Sequence, residues 1–166
     1  MILFLMTYSI SSFAQNVNVK SAFLEKWGNS KNYLLEIAEM MPEVDYSFKP
    51  TERQRSFKEQ LVHIKGNIDW LSTSYFSEEE YKRDSSPLPE TKEETIELLV
   101  HAFDLASEKI NNTPEEDLTM IVDFFAGPKS KLQILNLLQD HVTHHRGQLI
   151  VYLNLKNIVP PKYVGW

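Results

Sequence analysis

Apolar positions recur along this chain at the three- and four-residue spacing of helices, in four separate stretches. The first runs from about Val19 to Met41. There Phe23, Trp27, Leu34, Ala38 and Met41 form one stripe, and Pro42 stops it. The second starts at Ser56. Ser56-Phe57-Lys58-Glu59 reads as a capping box: the serine hydroxyl accepts from the third helical N–H and the glutamate reaches back. Leu61, Ile64, Ile68 and Leu71 carry its stripe to about Phe76. A second capping box, Thr91-Lys92-Glu93-Glu94, opens the third helix, which holds Leu98, Leu99, Phe103, Ala106 and Ile110 and fades at Asn111-Asn112. The fourth begins near Ser130 and continues to about Asn157, ahead of Pro160-Pro161. It is apolar on most sides, which predicts the most buried helix of the four. Between the third and fourth, Leu118 to Phe125 is apolar and β-branched. That suits a short extended stretch, closed by Gly127-Pro128, with no partner strand evident. Four long helices and almost no strand signal predict an all-α fold, a four-helix bundle in a single domain.

Composition narrows the function. The 166 residues carry a formal net charge of -6. An acidic surface argues against a nucleic-acid partner, which needs a basic patch. The densest basic stretch, Lys49 to Lys58, is interrupted by Glu52 and followed by Glu59. There is no cysteine, so disulfides, thiolate ligands and cysteine nucleophiles are excluded. Walker, Gly-x-Gly-x-x-Gly, Gly-x-Ser-x-Gly and His-Glu-x-x-His patterns are absent too.

Residues 1–14 hold no charge. An apolar run, Ile2 to Met6, passes into small residues ending at Ala14, as in a signal peptide cleaved after Ala14. The run is too short to span a membrane. It predicts export to the periplasm or the exterior, with residues 15–166 as the mature domain. The alternative is a frayed apolar N-terminus on a cytoplasmic protein.

The candidate chemistry lies in Asp140-His141-Val142-Thr143-His144-His145-Arg146-Gly147-Gln148-Leu149, which holds three of the five histidines. Residues four apart on a helix share a face, so His141 and His145 can grip one ion. A wheel at about 100° per residue puts His145 inside the apolar stripe of Leu138, Val142 and Leu149, His141 at its edge and His144 on the polar side. Buried imidazoles need partners for their nitrogens. A metal is one solution, and hydrogen bonds to carbonyls or to Tyr and Glu side chains are the other. His63 sits at the flank of the second helix's stripe, which suits either a cleft between helices or plain surface. His101 lies opposite its helix's apolar stripe and reads as exposed.

With these residues in view, His141-x-x-x-His145-Arg146-Gly147-Gln148, followed by Leu149 and Pro160-Pro161, resembles the C-terminal motif of the DinB/YfiT-like family. His63 in Leu61-Val62-His63-Ile64-Lys65-Gly66-Asn67-Ile68-Asp69-Trp70 is similar to that family's histidine on the second helix. The linker Tyr46-Ser47-Phe48-Lys49-Pro50 is similar to its approach. The resemblance covers residues 18–166 and implies a four-helix bundle with a divalent metal on His63, His141 and His145. Zinc or nickel come first for such a set, manganese or iron next. It also implies a small metalloenzyme, a metal-dependent hydrolase or a thiol-dependent transferase, acting on a small molecule. Export would put cytosolic thiols out of reach and weaken the transferase expectation.

Three neutral imidazoles leave a metal its full charge and an open position, where water is acidified toward a pKa of about 7 in the best zinc cases. Gln60, Asn67, Gln148 and Tyr152 are candidates to fix the ring tautomers. Arg146 is a candidate anchor for an anionic substrate, or else a surface ion-pair or helix-end partner. A non-catalytic bundle, holding metal for stability or serving as a metal-free interaction module, is the alternative function. A homodimer is compatible with each.

Overall fold

The computed structural model describes residues 18–166; the expected signal peptide at 1–14 lies outside the described residues. The helices are α1 (Val19–Met40), α2 (Phe57–Phe76), α3 (Lys92–Asn112) and α4 (Lys131–Leu155). Each begins at a side-chain cap. Asn18 accepts from the Ser21 N–H, and Ser56, Thr91 and Ser130 each form a full capping box with Glu59, Glu94 and Gln133. Such caps satisfy helix N–H groups that otherwise lack partners, at about 1 kcal/mol each. Helix starts were therefore written locally, in residues three apart.

Around the bundle the order is α1, α3, α2, α4, so α1 and α2 are diagonal and each packs on both α3 and α4. The predicted stripes point inward. Trp27, Leu34, Ala38, Leu61, Ile64, Ile68, Leu71, Leu99, Phe103, Ala106, Leu138, Val142 and Leu149 are all buried. The linker between α1 and α2 is pinned from below by Tyr46. Its ring is buried against Phe57 and its hydroxyl donates to the Ala38 carbonyl at 2.8 Å. No helix among the described residues is long and apolar enough to cross a membrane.

Two expectations are corrected. The stretch at Leu118–Phe125 does find a partner: β1 (Ile121–Val122) pairs antiparallel with β2 (Lys129–Ser130), Ile121 facing Ser130. A two-residue strand has no periodicity to read. The local signal was the turn itself, where Gly127 sits at φ 88, a conformation that favours glycine. Nor is α4 the most buried helix. Nine of its 25 residues are buried, against eight of 20 in α2. Its apolar character is partly spent on solvent, with Val151 and Leu155 both exposed.

Candidate metal centre

The neighbouring placement of α2 and α4 brings His63 against His141 and His145. Gln60 meets Gln148 and His63 meets His141 and His145, so the two helices run antiparallel along this seam. The ring centroids are 4.9 Å apart for His63 and His141, 4.6 Å for His63 and His145, and 4.4 Å for His141 and His145. One ligand atom from each lies within 4.8 Å of the others, and no carboxylate among the described residues joins the group. His145 is buried, 7% exposed, while His63 and His141 are half-buried. As expected from the wheel, His144 is exposed, and so is His101. The doubtful residue was His63. The cleft side of its flanking position is the one realised.

Two observations bear on whether these residues fit an ion. First, Nε2 of His63 and Nε2 of His141 stand 3.2 Å apart. Two imidazole nitrogens on one tetrahedral zinc, each bonded at about 2.0–2.1 Å, are separated by about 3.3 Å. Second, the tautomer of His145 is set by its neighbours. Oε1 of Gln148 can only accept, so His145 donates from Nδ1–H to it at 2.8 Å. The neutral ring then carries its lone pair on Nε2. Gln60 Nε2 donates to the same Gln148 oxygen at 2.5 Å, and Gln148 Nε2 donates to His144 Nε2 at 3.2 Å. One amide thus holds His145 in a metal-ready form.

The other anticipated partners act differently. Asn67, one turn after His63, keeps a buried Oδ1 with no hydrogen-bond partner among the described residues, as does Nδ1 of His141. Tyr152 touches no histidine nitrogen. Its hydroxyl donates to the Arg55 carbonyl at 2.8 Å, with Gln54 Oε1 3.2 Å away. Arg146 corrects the expectation of a surface ion pair. It is buried, 7% exposed, with its guanidinium 4.8 Å from the centre of the Tyr33 ring on α1, and it makes no ion pair among the described residues. One residue on from His145 is about 100° round the helix, which turns Arg146 toward α1 and away from α2.

Burial sets the charge state of the cluster. It pushes the His63 imidazole down to about 4 and His141 down to about 3, with Arg55 and the neighbouring histidines adding to it. His145 is lowered as well, first by burial, against the opposing bond to Gln148. At pH 7 the three rings are therefore neutral, the form that ligates.

The cluster opens on a cleft of about 1460 Å³ between α2, the linker before it, the loop after it and α4. His63 and His145 line this cleft, and His141 adjoins both. Along α2 the cleft face reads Gln60, His63, Asn67 and Trp70. Trp70 is stacked on Phe124 at 6.0 Å, with Phe125 at 6.2 Å, so the loop carrying β1 braces its outer end. Sequence reading missed Arg55 as a site residue. Its only signal was membership of the basic stretch Lys49–Lys58.

The family model described as DinB family matches residues 14–162. The uncharacterized protein YjoA of Bacillus subtilis is 28% identical over 146 residues, covering 84% of this chain and 89% of the relative. The crystal structure of that DinB-like protein aligns with a TM-score of 0.70 at 19% identity, over 86% of this chain and 96% of the other. A DinB-like protein from Bacillus cereus aligns with a TM-score of 0.75 at 20% identity, over 87% and 97%. At these identities the structural likeness supports the fold alone.

Proposed function

Because this chain belongs to the DinB family, whose model spans nearly all of it, we propose that it binds one divalent metal through His63, His141 and His145 and acts as a small metal-dependent enzyme in the adjoining cleft. The carrying observation is the convergence of three neutral imidazoles, two of them lining a large cleft, without a fourth protein ligand among the described residues. A structural zinc takes four protein ligands, whereas a catalytic one keeps a position open. His144, the nearest further imidazole, is exposed and tied to Gln148, which favours the catalytic arrangement.

An all-imidazole set suits zinc or nickel better than the oxygen-seeking magnesium and calcium. A divalent metal there supplies Lewis acidity, acidifying water or a thiol and polarising a carbonyl or phosphoryl oxygen, which serves hydrolysis and thiol transfer alike. The chain's own groups hold and orient. Gln148 fixes His145, and Gln60 fixes Gln148. The cleft carboxylates are poor candidates for a general base, since Glu59 is held by Ser56 and Lys49, and Asp69 and Asp84 both by Lys65.

The test is metal content by elemental mass spectrometry after reconstitution with zinc, nickel or manganese. We expect close to one zinc or nickel per chain at pH 7. Ordinary histidines protonate near pH 6.5 and release metal below it. Here burial lowers all three imidazoles, His63 to about 4 and His141 to about 3, so protons compete weakly and occupancy holds at pH 5.5. A chain that takes up none of the three ions contradicts the proposal.

A further inference from the structure

The cleft has the opposite charge from the rest of the molecule. Six of the chain's seventeen basic residues line it, Lys49, Arg53, Arg55, Lys65, Lys82 and Arg83, but only three of its twenty-three acidic ones, Glu59, Asp69 and Asp84. Those three carboxylates are already engaged. Lys49 lies 3.3 Å from Glu59, and Lys65 lies 2.9 Å from both Asp69 and Asp84. Arg53, Arg55 and Arg83 make no ion pair among the described residues. A surface of net negative charge that gathers free guanidinium groups at one concave site creates a local positive potential, which concentrates anions there.

Arg55 is the best placed of them. The Tyr152 hydroxyl ties its carbonyl to α4, two turns beyond His145, just before Ser56 opens α2. It lines the same cleft as His63 and His145. At the other end of the same α2 face, Trp70 presents an aromatic wall about 10 Å beyond His63 along the helix axis. Leu98 and the Pro87-Leu88-Pro89 turn add apolar surface.

We propose that the cleft takes a small organic oxyanion, its charged group received by Arg55 beside the three histidines and its flat apolar part laid on Trp70. Arg146, one candidate for that role, does not line the cleft, whereas Arg55 does, and its planar fork matches a carboxylate or phosphate. Recognition of the ligand rests on the metal reading only in placing the reacting group next to the histidines.

Calorimetric titration of the zinc-loaded protein with 2-naphthoate and with its neutral analogue 2-naphthamide tests this, with zinc content measured on the same samples. We expect naphthoate to bind at least tenfold more tightly than the amide, and Arg55→Gln to lower naphthoate affinity about tenfold with zinc retained, since charge-assisted bonds are worth that much. Affinity also falls with added salt. Equal binding of acid and amide, or undiminished naphthoate binding by Arg55→Gln, overturns the proposal. A zinc-free protein that still prefers naphthoate through Arg55 upholds it and overturns the metal reading alone. A zinc-loaded protein with no preference does the reverse.

Discussion

His145→Ala lowers zinc affinity by at least a hundredfold. Losing a partner that merely orients a metal ligand costs about 10- to 100-fold, so losing one of three direct ligands costs more. His145 carries the most constrained ring of the set, buried and held through Nδ1 by Gln148. His63→Ala and His141→Ala behave likewise, because no carboxylate in the cluster can take their place. His101→Ala, exposed and outside the cluster, leaves affinity unchanged. Competition against a chromophoric chelator measures all four. Parent-like affinity in any one of the three cluster variants removes that residue from the site.

Trp27→Ala has the largest effect on the fold itself. The indole is fully buried between α1 and α3, 4.5 Å from the Phe103 ring and 5.6 Å from Phe23. Its Nε1–H donates to the Phe103 carbonyl at 3.3 Å. Truncation removes the largest side chain of the core and leaves a cavity that the packed helices cannot close, for a loss of about 3–5 kcal/mol. For a domain of this size that lowers Tm by about 10 °C. Urea unfolding measures it as a shift in midpoint at constant slope. A loss below about 1 kcal/mol would show that the α1–α3 seam repacks.

The two predictions separate what periodicity could and could not reveal. Trp27 was legible because its neighbours at four- and seven-residue spacing, Phe23 and Leu34, mark the inward face. The same rule placed His145 inside the α4 stripe and His141 at its edge, where both are found. Capping boxes at Ser56 and Thr91 were legible because their partners lie three residues away. His63 was ambiguous, since a flank becomes a cleft only once α4 is known to lie beside α2, and helix order is not written in either stripe. Arg55 belongs to a linker with no period, and the bond its carbonyl accepts from Tyr152, 97 residues later, is not written in any local pattern. The setting of Arg146 was illegible for the same reason. The ring that receives it, Tyr33, is on a helix whose adjacency to α4 the sequence does not state. The β1–β2 pairing is too short to register as a pattern.

X-ray absorption at the metal edge of the zinc-reconstituted protein tests the central claim most directly. A three-histidine site with an open position predicts three imidazole nitrogens at about 2.0–2.1 Å and one further light atom that exchanges when an exogenous ligand is added. A shell filled by four protein ligands, or one without multiple imidazole scattering, contradicts it.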